Sequence, residues 1–323
     1  MNIDRKLLVD NQTLFISFVV PIYNEAVNIK DFIKALTQSA NKLSKYYEIV
    51  IINDGSTDNS LAVIETELLP DSHIKLISFS RNFGKEIALT AGLHHCRGQI
   101  AILIDADFQH PLASIPEFIE RWTEDYDMVY GLRDNRSQET FLKRFFARIF
   151  YKTLGFLSDT KIPADAGDFR LLDRKVVDAI NSCKEYNRFM KGLYAWVGFK
   201  ATAVIYPVLE RQGGKTSFSF LKLAELALTG IFSFSDMPLR VWSLIGILIS
   251  GISLLYALVI VFDTLCFGVD VPGFATITVA IMFFGGIQLI SIGILGEYIA
   301  RIFREVKNRP KYIIDKTHGF ENE

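Results

Sequence analysis

Asp105 and Asp107 stand two residues apart at the end of an apolar run, Ile100-Ala101-Ile102-Leu103-Ile104, and Gln109 follows two positions later. A buried strand that ends in two carboxylates and a carboxamide suits a hard divalent cation. Oxygen ligands at alternate positions near a strand end can point the same way. Such a cation pairs naturally with a diphosphate, so the pattern points to a nucleotide-activated substrate. Asp-x-Asp alone is a common tripeptide. Its weight here comes from three further polar clusters that also follow apolar runs: Pro21-Ile22-Tyr23-Asn24-Glu25, Asn53-Asp54-Gly55-Ser56 and Arg81-Asn82-Phe83-Gly84-Lys85.

The elements that must position these clusters follow from the hydrophobic pattern. Strands are expected at 15–21, 47–53, 74–80, 100–105 and 127–132, with amphipathic helices at 26–45, 58–68, 85–96 and 113–125 between them. This β-α-β-α rhythm predicts an α/β fold, a mostly parallel sheet with helices on both faces. Ligands of such sheets bind beyond the carboxyl ends of the strands, where all four clusters fall. Asp54 suits a base or ribose, since a carboxylate accepts from a ring N–H or a hydroxyl. Asp58, directly before the next helix, is the better candidate for its cap.

Half of the 323 residues are hydrophobic and 22% are charged, a balance too apolar for an ordinary soluble enzyme and too charged for a polytopic transporter. The excess is local. Segments 241–262 and 271–296 hold no charged residue before Glu297 is reached in a longer run to its C-terminal side. Each is long enough to cross a bilayer core of about 30 Å. Arg240 precedes the first, while Arg301, Arg304, Lys307, Arg309 and Lys311 follow the second; the connecting loop has no Lys or Arg. The positive-inside rule then puts both termini and the N-terminal domain in the cytoplasm of an integral inner or plasma membrane protein with two spans. The polar, mixed-charge N-terminus carries no apolar signal region. Residues 138–156 mix Phe141, Phe145, Phe146 and Phe150 with Lys143, Arg144, Arg148 and Lys152, as a helix lying in the headgroup layer does; a solvated charged face over a core stripe gives the same pattern, and the membrane anchor favours the first reading. Residues 217–235 are similar but less basic. The expected organisation is a cytoplasmic domain at 1–236 with two interface helices, a two-helix hairpin at 237–300 and a basic cytoplasmic tail at 301–323 without clear periodicity. Cys96, Cys183 and Cys266 form no metal or redox spacing. A net charge of −1 gives no ground for a nucleic-acid partner.

The motif series resembles that of family 2 glycosyltransferases. The residues that carry it are Pro21 to Glu25, Asn53 to Asp58, Arg81 to Glu86, Asp105 to Gln109 and Gly167-Asp168-Phe169-Arg170. Arg188 to Gly192, Ala195 to Gly198 and the C-terminal hairpin ending Gly296-Glu297-Tyr298-Ile299 narrow it to the polyprenyl-phosphate type, nearest the bactoprenol glucosyltransferases. The resemblance implies a GT-A catalytic domain, an inverting mechanism, a Mg²⁺ or Mn²⁺ cofactor, a nucleoside diphosphate sugar donor (UDP-linked), a polyprenyl phosphate acceptor in the lipid bilayer, and a homo-oligomer, a tetramer by analogy. Carried over, Pro21, Tyr23, Glu25, Asp54, Lys85, Asp105, Asp107, Arg211 and Lys215 would bind the nucleotide sugar. Asp105, Asp107 and Gln109 would hold the metal. Asp168 and Asp107 would be catalytic, and Arg170, Arg188 and Lys191 would meet the acceptor phosphate.

Three positions depart from the family pattern. His110 stands where many relatives have Asp; its ring could ligate a metal, and an exposed ring is the expectation. Asp165-Ala166 replaces Asn-Thr. In Arg211-Gln212-Gly213-Gly214-Lys215-Thr216-Ser217 the lysine precedes the Thr-Ser pair instead of following it. Two other readings fit less well. A processive polysaccharide synthase would carry a Gln-x-x-Arg-Trp motif, which is missing here. A non-catalytic membrane assembly or flipping partner would leave the acidic site unexplained.

Overall fold

The computed structural model of the chain describes residues 5–133, 166–186, 188–207 and 273–320, together with isolated helical positions between 246 and 266. The expected interface helices at 138–156 and 217–235, most of the first span, Arg211 and Lys215 lie outside the described residues.

Among the described residues eight strands form one sheet in the order β7-β5-β6-β4-β1-β2-β3-β8. The core is β1 (Phe15–Ile22), β2 (Tyr46–Asn53), β3 (Ile74–Phe79) and β4 (Ile100–Leu103), all mutually parallel where they pair. β1 is buried along nearly all its length on both faces, as an interior strand of a parallel sheet is. β5 (Met128–Arg133), β6 (Ala166–Asp173) and β7 (Ala201–Tyr206) extend one side. β6 runs antiparallel to both β4 and β5, while β5 and β7 are parallel. The result is the mostly parallel, GT-A-like α/β sheet expected from the sequence, with one reversed strand inside it.

Helices cover both faces. α1 (Arg5–Asp10), α2 (Ile29–Leu43), α3 (Ser60–Val63) and α5 (Ile115–Thr123) lie with one apolar cluster; α4 (Lys85–His95), α6 (Arg174–Ser182) and α7 (Met190–Trp196) lie with the other. α2 shows the cause: Ile29, Phe32, Ile33, Leu36 and Ala40 recur at helical spacing and are all buried. α6 starts where the Asp173 carboxylate accepts from the Lys175 N–H at 3.0 Å.

The C-terminal region differs from expectation in two ways. α8 (Phe274–Val306) is 33 residues long and runs past the expected boundary at 296. Its last turns carry Arg301, Arg304 and Glu305, charges that a helix can bear once it has left an apolar layer. Among the described residues it is the one helix long and apolar enough to cross a membrane, by length and composition. Its apolar side chains, Ile281, Phe283, Leu289 and Leu295 among them, face outward. The hairpin's first helix therefore has no counterpart described at full length.

The tail beyond α8, which shows no periodicity, nonetheless contains a strand. β8 (Ile314–His318) pairs antiparallel with β3 at the sheet edge. Tyr312 stacks on Phe79, with ring centroids 5.0 Å apart, and Glu305 accepts from the Tyr186 N–H at 2.8 Å. The tail is thereby built into the domain that holds the strand ends. Tyr312→Ala removes that ring and is expected to destabilise the protein by about 2 kcal/mol. In a thermal melt of the detergent-solubilised chain this lowers Tm by about 4–8 °C, whereas Tyr312→Phe, which keeps the ring, stays near the parent.

Candidate active site

The four polar clusters that follow the apolar runs reach the same edge of the sheet, through a set of cross-linked loops. Asn24, with φ +57°, accepts at its side-chain oxygen from the Thr57 N–H at 2.8 Å and the Asp58 N–H at 3.3 Å. Its own N–H donates to Ser56 Oγ at 3.0 Å. The cap position of α3 is Asn59 and not the expected Asp58; Asp58, one residue earlier, accepts from the Ser60 N–H at 2.9 Å and so steadies the start of the helix. Pro21 is buried beneath this loop pair, Tyr23 is 45% exposed at its rim, and Glu25 accepts from Asn28 Nδ2 at 3.2 Å.

Asp54 is buried and reaches across to the next loop. Its carboxylate accepts from the Phe83 N–H at 2.7 Å and the Gly84 N–H at 2.9 Å. Burial pushes its pKa up, against the pull of those two hydrogen bonds. Gly55 makes the junction possible: it has φ +63°, and a Cβ there would lie 2.3 Å from the Arg81 carbonyl carbon. Asp54 thus fixes the turn that delivers Lys85 to the first position of α4.

The reversed direction of β6 sets the centre. Leu103 pairs with Arg170 in an antiparallel register. Two residues further in that register bring Asp105 level with Asp168, on one face of the sheet. Two like charges placed so would repel. Lys85 lies between them, its Nζ 2.8 Å from Asp105 Oδ2 and 2.9 Å from Asp168 Oδ2. Burial would raise the pKa of Asp105, but Lys85 and His110 outweigh it and hold this carboxyl far below the usual range. Asp168 is likewise lowered on balance: burial acts upward, Lys85 and Lys191 downward. Its second oxygen, Oδ1, is buried with no hydrogen-bond partner among the described residues.

His110 is a correction. The expected exposed ring is buried, stacked on Phe169 at 5.0 Å. Its Nδ1 lies 2.9 Å from the Tyr206 hydroxyl and its Nε2 lies 3.5 Å from Asp105 Oδ2. The loop that carries it turns sharply at Phe108, with φ +59°, and Asp107 Oδ1 accepts from the Gln109 N–H at 3.0 Å. Tyr206, on β7, went unnoticed in the sequence, for it comes 96 residues after His110 and carries no motif of its own.

The basic residues lie on the neighbouring elements. Arg170 is almost fully buried on β6, donates from Nε to the Gly167 carbonyl at 3.0 Å, and sits 4.3 Å over the Tyr194 ring. One of its terminal nitrogens, Nη2, and the Tyr194 hydroxyl are buried without hydrogen-bond partners among the described residues. Arg188 is buried, donates to the Cys183 carbonyl, and leaves Nε and Nη1 unpartnered among the described residues. Lys191, on α7, helps depress the pKa of Asp168. Asp168 does not form an ion pair with Arg170 among the described residues; its partner there is Lys85.

The donor set fits a hard divalent cation. Asp105 and Asp107 offer carboxylate oxygens, and Asp105 already draws a cation, the Lys85 ammonium. Among the described residues no three His, Cys, Asp or Glu side chains converge as a ready-made metal group. A Mg²⁺ or Mn²⁺ held by one or two carboxylates takes its other ligands from phosphate oxygens and water.

Glu86, quoted from the sequence only as part of a motif, accepts from the Met190 N–H at 3.1 Å and ties α4 to the start of α7. Burial, with Asp168 nearby, raises its pKa to about 7. Below pH ~4.3 it is protonated both folded and unfolded, and has no effect on stability. Between there and pH 7 the unfolded chain ionises first, so the cost to folding grows with pH. Glu86→Gln keeps the acceptor oxygen and removes this cost. The variant should melt with the parent at pH 4 and above it at pH 8; equal melting at both values would exclude the raised pKa.

Comparison with known proteins bears on this site. The model of glycosyl transferase family 2 matches residues 17–180. An uncharacterized glycosyltransferase of Synechocystis, sll0501, is 46% identical over 309 residues, which are 96% of this chain and 97% of that one. A prophage-derived bactoprenol glucosyl transferase of Shigella flexneri is 48% identical over 303 residues, 94% of this chain and 98% of that one. Among solved structures, mannosyl-3-phosphoglycerate synthase from Rubrobacter xylanophilus has a TM-score of 0.49 at 16% identity, covering 70% of this chain and 74% of that one. On a family match over half its length and relatives above 40% identity along nearly all of it, the chain belongs to glycosyl transferase family 2 and is a glycosyltransferase.

Proposed function

We propose that the chain transfers a single sugar, with inversion, from a nucleoside diphosphate sugar to undecaprenyl phosphate or a similar polyprenyl phosphate at the cytoplasmic membrane face. The observation that carries this reading is the Asp105–Lys85–Asp168 arrangement at the carboxyl edge of the sheet. It supports a donor side at Asp105 and Asp107 and an acceptor side at Asp168, a few ångströms apart. The bactoprenol glucosyl transferases of comparable length support the acceptor class. The family resemblance supports a UDP-linked donor and a homo-oligomer.

Asp105 and Asp107, with Gln109 beside them, would hold Mg²⁺ or Mn²⁺ against the diphosphate, where the ion neutralises charge on the leaving nucleoside diphosphate. The Asp54 turn orients the nucleotide side. Arg170, Arg188 and Lys191 gather positive charge for the acceptor phosphate, and the unpartnered nitrogens of the two arginines favour that use. The acceptor is a phosphate monoester whose second pKa is about 6, so its oxygen is already nucleophilic at neutral pH. Asp168, with its pKa depressed by Lys85 and Lys191, is a weak proton acceptor. Its role is to position Lys85 and the incoming phosphate, not to act as general base.

α8 supplies the membrane attachment that a lipid-phosphate acceptor requires. Because β8 follows α8 and joins the same sheet, the tail and the catalytic domain belong on one side of the bilayer.

A panel of radiolabelled nucleotide sugars with undecaprenyl phosphate tests the reading. One sugar should enter the organic phase, stop with EDTA and resume with Mg²⁺ or Mn²⁺. Asp105→Asn and Asp107→Asn should each reduce kcat by about a hundredfold or more. Asp168→Asn should reduce activity by a factor that does not vary with pH. Label that never partitions with lipid would refute the acceptor.

A further inference from the structure

Lys85 occupies two carboxylates at once, with contacts of 2.8 and 2.9 Å. Its side chain is nonetheless 44% exposed. The four-carbon stem is flexible and the ammonium has three donors, so the charge can be re-aimed without moving the backbone. Asp107 meanwhile gives one oxygen to the Gln109 N–H at 3.0 Å. Among the described residues, no third acidic or imidazole ligand completes a metal group. An ion approaching this edge without a nucleotide meets one carboxylate already neutralised and another partly engaged. Mg²⁺ and Mn²⁺ bind such sparse sites through substrate phosphates.

We propose that Lys85 is an exchangeable counter-ion for the reaction centre. With no donor bound it holds Asp105 and Asp168 together and keeps a divalent ion from settling on Asp105. When metal and diphosphate arrive together, the ion takes over Asp105 and the lysine passes to the diphosphate. The charge balance of these groups is the same at each stage: one ammonium against two carboxylates leaves a single negative charge in excess, and a divalent ion with the ammonium against two carboxylates and a doubly charged diphosphate leaves the same excess. The inference rests on the metal–diphosphate reading above and adds an order of binding to it. Metal enters with the nucleotide and not before. When Lys85 leaves, Asp168 keeps the positive charge of Lys191 beside it.

The test is a Mn²⁺ titration followed by electron paramagnetic resonance, on the full chain in detergent. Without nucleotide the parent should bind Mn²⁺ weakly. Lys85→Met, which keeps the stem and deletes the charge, should bind it about tenfold more tightly. Lys85→Arg, which keeps a cation, should resemble the parent. Adding UDP should tighten Mn²⁺ binding far more in the parent than in Lys85→Met. The proposal is overturned if Lys85→Met binds Mn²⁺ no better than the parent. Tight Mn²⁺ binding by the parent with no nucleotide present overturns it equally, and needs no variant to fold. The nucleotide-free comparison requires neither donor nor lipid acceptor, so its outcome is independent of whether labelled sugar reaches undecaprenyl phosphate.

Discussion

Asp105, just beyond the end of β4, and Asp168, on β6, are brought close enough to share one lysine, and two carboxylates so close need a cation between them. Two carboxylates so placed, half withdrawn from water, repel more strongly than either could in solvent. Lys85 at 2.8 and 2.9 Å resolves the conflict. The surrounding structure answers to that need. The Asp54 carboxylate fixes the turn before Lys85, and Gly55 lets that turn pass within van der Waals limits of the next loop. His110, braced by Phe169 and Tyr206, faces Asp105 from the other side.

The reversal of β6 gives the enzyme its economy of form. A strand parallel to β4 would carry its loop residues to the same edge only at its far end. Running antiparallel, β6 begins at that edge, so Gly167 and Asp168 arrive beside Asp105 while Arg170 and Phe169 are anchored in the core. The tail uses the opposite side of the sheet. By adding β8 to β3 it joins the end of α8 to the domain whose strand ends carry the chemistry. The end of α8, a candidate membrane helix by length and composition, is joined to that domain more firmly than a loose linker could join it.

Much of this was legible in the sequence. The first five strands and the helices between them follow from apolar runs and helical spacing, and their loops carry the polar clusters. Burial on both faces leaves β1 to β4 unmistakably hydrophobic. β6 was harder to see, because Asp168 and Arg170 interrupt its apolar character, and Arg170 is buried against Tyr194 instead of facing solvent. β8 was invisible for the opposite reason. Its side chains are mostly exposed, so the strand is held by main-chain pairing to β3 and leaves no periodic signal. At the site, residue types and spacing pointed to Asp54, Asp105 and Asp107, and the family resemblance pointed to Asp168. They did not reveal which partners each would take. Asp54 engages backbone N–H groups 29 and 30 residues later, and His110 is claimed by a tyrosine on the outermost strand of that side. Such pairings are decided by topology, which a local reading of the chain does not contain.

The central claim is that the carboxylates at the end of β4 are the diphosphate end of the donor site. Crystals of the full chain grown with UDP and Mn²⁺ test it directly, through the anomalous scattering of manganese. The account places the peak about 2 Å from carboxylate oxygens of Asp105 or Asp107, with the Lys85 ammonium moved from Asp105 to a phosphate oxygen. A manganese peak elsewhere on the chain, with Lys85 still joining Asp105 to Asp168 beside a bound nucleotide, would contradict it.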